Sequence, residues 1–228
     1  MSSNPNPHPT APAPFFYNPP SAEIAILHCD AELMIIDKPC GLLSVPGKGD
    51  DRLDCLITRL HKRYPQARIV HRLDLDTSGV MVIAMNPAAH RHLGLQFERR
   101  HVEKTYIALV DGNVAADSGR VDLPIRVDWP NRPRQMIDHA EGRSAVTDWQ
   151  VLAREDDRSR IALRPLTGRS HQLRLHMREL GHPILGDTLY APEAARKAMP
   201  RLCLHALNLS LYHPDGGERL TFEVACPF

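Results

Sequence analysis

Residues 71–87 read HRLDLDTSGVMVIAMNP, and the order of residue types in this stretch is what sets the architecture. Asp74, Asp76, Thr77, Ser78 and Gly79 make a polar loop of the kind that holds binding and catalytic groups. GVMVIAM (79–85) follows as a continuous apolar run of strand length, the pattern of a strand buried on both faces. Asn86 and Pro87 then supply an N-cap and an N1 proline, which predicts a helix through Phe97. The polar loop therefore leads straight into a buried strand. On its own it also has a plainer reading, a turn whose carboxylates and hydroxyls cap backbone amides.

Upstream, AIL (25–27) and LMIID (33–37) read as short strands, and Leu53, Leu56, Ile57, Leu60 and Tyr64 fall on one helical face. Downstream the chain is strand-rich. KTYIALV (104–110), SAVTDWQVLA (144–153), SRIALRPL (159–166), LCLHALNLSLY (202–212) and RLTFEVA (219–225) all have β character. One helix interrupts them, SHQLRLHMREL (170–180), with Ser170 as expected cap and Gly181 and Pro183 marking its end. Many strands and few helices, without strict alternation, predict an α+β domain. Its core would be a mixed, mainly antiparallel central sheet with flanking helices.

The first twenty residues carry seven prolines and almost no charge. Residues 1–22 are expected to form a disordered or polyproline-II arm, pinned at its end by Phe15, Phe16 and Tyr17, ahead of a single domain at 23–228. The five cysteines, Cys29, Cys40, Cys55, Cys203 and Cys226, are odd in number and widely spaced, with no CxxC pair; they fit free thiols in a reducing compartment. No apolar run approaches the roughly 18 residues of a membrane span, and the N-terminus lacks the basic and apolar regions of an export signal. A cytoplasmic monomer with no membrane partner is expected.

The net charge of +1 rules out bulk electrostatics as an argument for nucleic-acid binding. Of the 28 basic residues only Lys38, Lys48, Lys62, Lys104 and Lys197 are lysines. Arginine's planar fork suits phosphates and base edges, although a genomic composition bias would leave the same excess. Within 164–187, RPLTGRSHQLRLHMRELGHPILGD, the residues Leu173, Met177 and Leu180 make the core-facing stripe of the helix. His171, Arg174 and Arg178 lie on another stripe, with Arg169 just ahead of the helix. That stripe reads either as a solvated basic face or as a guanidinium set to pair with a carboxylate or a phosphate.

Four blocks in order carry a specific resemblance: K-P-x-G-L-L-S-V-P-G (38–47), H-R-L-D-x-x-T-S-G (71–79), K-x-Y (104–106) and L-T-G-R-S-H-Q-L-R-x-H (166–176). Together they resemble the RluA-type pseudouridine synthases over nearly the whole chain from Ile24. The segments YPQA (64–67), DWPNRP (128–133) and LGHPILGD (180–187), with the short length, are similar to members acting on both 23S rRNA and tRNA. The expected targets are the anticodon-loop uridine at tRNA position 32 and the uridine at 23S rRNA position 746. The S4 RNA-binding domain of larger relatives is expected to be absent.

The resemblance implies a pseudouridine synthase fold and isomerisation of uridine in RNA. The bond from ribose C1′ to base N1 breaks, the base turns, and C1′ joins C5, so neither cofactor nor metal is required. It makes Asp74 the nucleophile, attacking sugar or base or taking a proton, in preference to Asp76. It gives Tyr106 the role of stacking on the flipped base and assisting loss of the C5 proton. Arg174 takes the role of pairing with the catalytic carboxylate, which favours the charged form in a secluded pocket. Arg72, two residues from the nucleophile, would fill the space left by an extruded base; a phosphate contact or a structural salt bridge are its other readings. His71, Thr77 and Arg169 complete the expected substrate contacts. Three other histidines, His171, His176 and His205, show no metal-ligand spacing with it, and no GxSxG elbow is present.

Two rivals stand beside the isomerase. One is a non-catalytic RNA-binding protein on the same fold, which would have no need of Asp74, Tyr106 and Arg174 together. The other is a glycoside or nucleoside hydrolase, which uses two separated carboxylates, whereas Asp74 and Asp76 are two residues apart.

Overall fold

The computed structural model describes residues 16–228. In chain order the elements are β1 (Ala25–Cys29), β2 (Leu33–Lys38), α1 (Leu56–His61), β3 (Arg68–Ile69), β4 (Ser78–Ala84), α2 (Pro87–Glu98), β5 (Glu103–Asp111), β6 (Ser118–Asp122), β7 (Ile125–Val127), β8 (Gln135–Ile137), β9 (Val146–Glu155), β10 (Arg158–Pro165), α3 (Gln172–Glu179), α4 (Glu193–Lys197), β11 (Leu204–Tyr212) and β12 (Arg219–Glu223). The sheet runs β1-β2-β4-β11-β5-β10-β9-β6, with β12 added beside β11 and β3 beside β4; β7 and β8 form a separate hairpin. Every pair is antiparallel except β4 with β11. This is the mixed, mainly antiparallel α+β sheet expected from the strand pattern.

β4 lies inside the sheet with all seven residues buried, as its unbroken apolar run requires. Its N-terminal end meets β11 in a short parallel contact, where Ser78 faces His205 and Gly79 faces Ala206. A Cβ on Gly79 would stand 2.2 Å from the Ala206 carbonyl oxygen, and its φ of +115° lies where side chains are strained. The glycine after the TS pair is thus what lets the polar loop enter the middle of the sheet. On one part of the sheet α1 and α2 cover an apolar cluster built on β2 and β4. A second cluster joins β5 and β10 to α3.

Asn86 caps α2 as its sequence predicts, its side chain accepting from the Ala89 N–H at 2.8 Å. Other boundaries moved. α1 spans only Leu56–His61, because Cys55 and Thr58 form a capping box there; Leu53 lies outside it and half its surface is exposed. Ser170 does not cap α3. The N-cap position is His171, in left-handed conformation with φ 54°, and the preceding amide of Arg169 bonds instead to the Gln172 side chain. α3 also lacks a solvated face along its length: Gln172 through Met177 are all buried.

Of the N-terminal arm, residues 1–15, Phe15 included, lie outside the described residues. Tyr17 is buried, donating to the Asp54 carbonyl at 2.7 Å and accepting from the Leu43 N–H at 3.1 Å, while Phe16 is exposed. Tyr17 alone of the two described aromatics ties this end to the body. All five cysteines are free thiols.

Candidate active site

The residues before β4 form a turn closed by the backbone alone, the Thr77 N–H donating to the Asp74 carbonyl at 3.2 Å. Among the described residues the Asp74 carboxylate caps no amide. Its side chain, about a quarter exposed at 27%, opens into a cavity of about 540 Å³. The capped-turn reading therefore fails at this residue.

The 38–47 block props the turn from behind. Lys38 is completely buried and its ammonium donates to three carbonyls: Pro39 (2.9 Å), Leu42 (2.7 Å) and Leu75 (3.0 Å). Ser44 donates to the Leu73 carbonyl at 2.8 Å, and the Gly41 N–H to that of Leu75 at 3.0 Å. Burial brings the Lys38 pKa down to about 8, against the pull of Asp76 and Asp74. Asp76 does not line the cavity; burial pushes its carboxyl upward although Arg174 and Lys38 oppose the shift.

Arg174 reaches the same cavity from α3. Its Nη1 lies 3.7 Å from Asp74 Oδ2, within ion-pair range but beyond a hydrogen bond. Its main partner is Asp187, a residue to which the motif reading assigned no role. Arg174 Nε donates to Asp187 Oδ2 at 2.7 Å and Nη2 to Oδ1 at 2.6 Å, a two-pronged pair in which Asp187 is fully buried. Asp187 also accepts from the Leu189 and Tyr190 amides at 2.8 and 3.0 Å. Burial alone would lower the arginine's pKa, but Asp187 and then Asp74 raise it overall. Burial likewise pushes the Asp187 carboxyl upward, and Arg174 outweighs it, so that carboxyl lies below its ordinary value. The Tyr190 ring lies under the guanidinium at 5.3 Å, and its hydroxyl meets His171 Nδ1 at 2.8 Å. Arg174 is thereby locked in plane, with one N–H edge left for Asp74. The LGD segment that bears Asp187 depends on Gly186, where a Cβ would fall 1.8 Å from the Arg201 carbonyl oxygen.

Tyr106 projects into the cavity from β5. Burial first, and the Asp74 charge second, raise its pKa well above the ordinary phenol value. Thr77 is 2% exposed, lines the cavity, and its hydroxyl has no hydrogen-bond partner among the described residues. His71 also lines it, but its Nε2 accepts from the Val82 N–H at 3.1 Å and its ring stacks on Phe97 at 4.6 Å. Burial, aided by the Lys104 charge, brings the His71 pKa down to about 3.

The loop at 166–171 is stitched by one side chain. Gln172 accepts from the Thr167 hydroxyl (2.8 Å) and the Arg169 N–H (3.0 Å), and donates to the Val146 carbonyl (3.0 Å) and Thr147 hydroxyl (3.0 Å). Around the mouth lie Arg72 and Arg100, both exposed, and Arg169, whose Nε donates to the Ser144 carbonyl at 3.0 Å. Burial, then the nearby Arg143 and Arg100 charges, lower the Arg169 pKa. Arg72 makes no salt bridge or hydrogen bond among the described residues, which removes one of its three readings.

The remaining histidines have structural partners. His176 contacts Thr147 Oγ1 and the Leu123 carbonyl, and His205 contacts Ser78 Oγ and the Val224 carbonyl. Among the described residues, no three His, Cys, Asp or Glu side chains are grouped to hold a metal ion.

A carboxylate, an arginine, a phenol and an unpartnered hydroxyl thus converge on one cleft, and the family model described as RNA pseudouridylate synthase matches residues 32–179, which contain all of them. The chain belongs to the RNA pseudouridylate synthase family. The dual-specificity RNA pseudouridine synthase RluA of Escherichia coli is 48% identical over 214 residues, covering 93% of this chain and 98% of that protein. The protein of the same name from Haemophilus influenzae is 47% identical over the same coverage. Among solved structures, human RNA pseudouridylate synthase domain containing 1 superposes with a TM-score of 0.76 at 30% identity, covering 92% of this chain and 86% of that one. Human RNA pseudouridylate synthase domain containing 4 gives 0.71 at 27% identity, with 89% and 88% covered. This pseudouridylate synthase accordingly acts on RNA and isomerises its uridines. No helix among the described residues is long and apolar enough to cross a membrane.

Proposed function

We propose that residues 23–228 form a single catalytic domain that converts uridines of the tRNA anticodon stem-loop and of 23S rRNA, with Asp74 as nucleophile. The observation that carries this reading is the Asp74 carboxylate, uncapped and 3.7 Å from Arg174, facing a cavity of about 540 Å³. The two substrates rest on the resemblance of the YPQA, DWPNRP and LGHPILGD segments; relatives named dual-specificity RNA pseudouridine synthase, matching along 98% of their length, support it. The protein works as a cytoplasmic monomer.

The reaction needs few parts. The target nucleotide is extruded into the cavity, since a stacked base offers neither C1′ nor C5 to a side chain. Asp74 attacks the nucleotide as N1 parts from C1′, the base turns, and C5 joins C1′ as the bond to Asp74 breaks and the carboxylate is released. The C5 proton is lost and N1 gains one, leaving no net redox change. Arg174, held by Asp187, supplies the fixed positive charge beside Asp74. Tyr106 packs on the base; the upward direction of its pKa favours a hydrogen-bond donor and stacking surface over a base. The Thr77 hydroxyl is the buried donor left for the ribose or base. Arg72, Arg100 and Arg169 at the mouth favour phosphates of the surrounding stem-loop, a recognition by shape and backbone. His71 contributes chiefly by holding the wall behind Asp74, through the Val82 amide.

Pseudouridine mapping of total RNA from cells with and without the active gene tests the assignment. Loss of signal at both the anticodon loop and 23S rRNA is expected. Loss at one alone would reduce the protein to a single-target enzyme, and loss at neither would refute the substrate assignment.

A further inference from the structure

Two lysines of this protein are drawn into its interior, and they are treated differently. Lys38 satisfies all three of its donors on carbonyls. Lys104 lines the catalytic cavity half-buried and has no hydrogen-bond acceptor and no ion-pair partner among the described residues. The Phe97 ring lies 5.8 Å from the ammonium. The cavity's two acidic liners, Asp74 and Glu98, make no ion pair with it. Burial accordingly pulls its pKa below the usual lysine value, and no neighbouring charge pulls it back. An ammonium withdrawn from water without a counter-charge is unfavourable unless the bound state supplies the anion.

We propose that Lys104 is a positioning residue that grips the backbone phosphate of the nucleotide undergoing isomerisation. Lys104 and Tyr106 are two residues apart on β5, where the extra residue of the irregular pairing belongs to β11, so their side chains leave the same face about 7 Å apart. With Tyr106 against the base, Lys104 stands about one nucleotide's reach away, within range of that nucleotide's own phosphate. Phosphate is the one anionic group that RNA carries into this cavity. Across the cavity the ammonium faces Gly168, where a Cβ would stand 4.0 Å from it, an ordinary contact. This grip is distinct from that of the rim arginines Arg72 and Arg100, which are exposed at the mouth. It rests on the reading of the cavity as the uridine pocket.

The test is a cycle between protein and RNA. The substrate is whichever stem-loop the wild-type protein converts best, so that the substrate assignment and the Lys104 assignment fail separately. It is made with natural phosphates and with an uncharged methylphosphonate placed 5′ or 3′ of the target uridine. Single-turnover isomerisation is measured at subsaturating RNA for wild type, Lys104→Met and Lys104→Arg. Lys104→Met should lose at least about tenfold on natural RNA. On one of the two methylphosphonate RNAs it should lose less than about threefold relative to wild type. Lys104→Arg should recover most of the loss, and the slope of log affinity against log salt should fall by about 0.7 in Lys104→Met. Equal losses on natural RNA and on both methylphosphonate RNAs, or full activity of Lys104→Met, would overturn the proposal. A merely structural lysine would give the equal losses, because its removal is blind to the RNA backbone.

Discussion

Replacing Asp187 by asparagine should disarm the site without touching the nucleophile. Asp187 is fully buried and holds Arg174 through two charged hydrogen bonds of 2.7 and 2.6 Å, while also accepting two backbone amides. An asparagine oxygen can keep three of the four donors, those on Oδ1, but its amide group then faces Arg174 Nε, donor against donor. Breaking a buried ion pair by removing one partner costs about 3–5 kcal/mol. The Asp74 carboxylate 3.7 Å away offers partial compensation, so the lower end, about 3 kcal/mol, is expected. For a chain of this size that is roughly a 6–12 °C lower melting temperature. The compensation has a catalytic consequence: with its Nε contact turned repulsive, the guanidinium shifts towards Asp74 and engages the carboxylate that must attack. A displacement of about 1 Å in such a constellation lowers the rate on the order of a hundredfold. Melting curves give the first number. Single-turnover release of tritium from uridine C5, run at a temperature where the variant is fully folded, gives the second. An Asp187→Asn protein that melts and turns over like wild type would refute the idea that Asp187 sets the position of Arg174.

The other expectations are simpler. The His71 pKa lies at about 3 in the fold, against 6.5 for the free side chain. Between those values the unfolded chain binds a proton that the folded one does not, so this stability is complete above pH 6.5 and is lost as pH falls. At pH 5 the loss is about 2 kcal/mol, and urea midpoints should show it vanish in His71→Gln; an unchanged acid slope in that variant would contradict the assignment. Arg72→Ala should leave melting unchanged, since Arg72 has no partner among the described residues, and should weaken conversion of a stem-loop at subsaturating RNA roughly tenfold. Equal turnover by variant and wild type would remove Arg72 from the RNA contacts.

How much of this was legible beforehand depended on the range of the interaction. β4 and the Asn86 cap were readable because an unbroken apolar run and an Asn-Pro pair act within a few residues. The meeting of Asp74 with Arg174 followed from the family blocks, not from spacing. Asp187 was in view, inside the quoted LGHPILGD segment, yet its role depends on a turn at Gly186 that brings it under α3. No periodicity encodes such a contact. The expected cap at Ser170 failed because Gln172 takes over the loop's amide, a competition between two side chains that local preference cannot rank. The stripe on α3 left two readings open, and at Arg174 the pairing one holds: charge pairing buries a residue that hydropathy alone marks as solvated. His71 was counted among the substrate contacts, and the sequence held no sign that its ring nitrogen is committed to Val82.

Asp74→Asn tests the assignment of Asp74 as nucleophile. The change keeps the shape of a side chain that caps nothing in the fold, so melting and RNA affinity should stay close to wild type. Incubated with tRNA bearing tritium at uridine C5, the wild-type protein should release tritium without free uracil, and Asp74→Asn should release none above background. A well-folded Asp74→Asn protein that still isomerises at a substantial fraction of the wild-type rate would contradict the account.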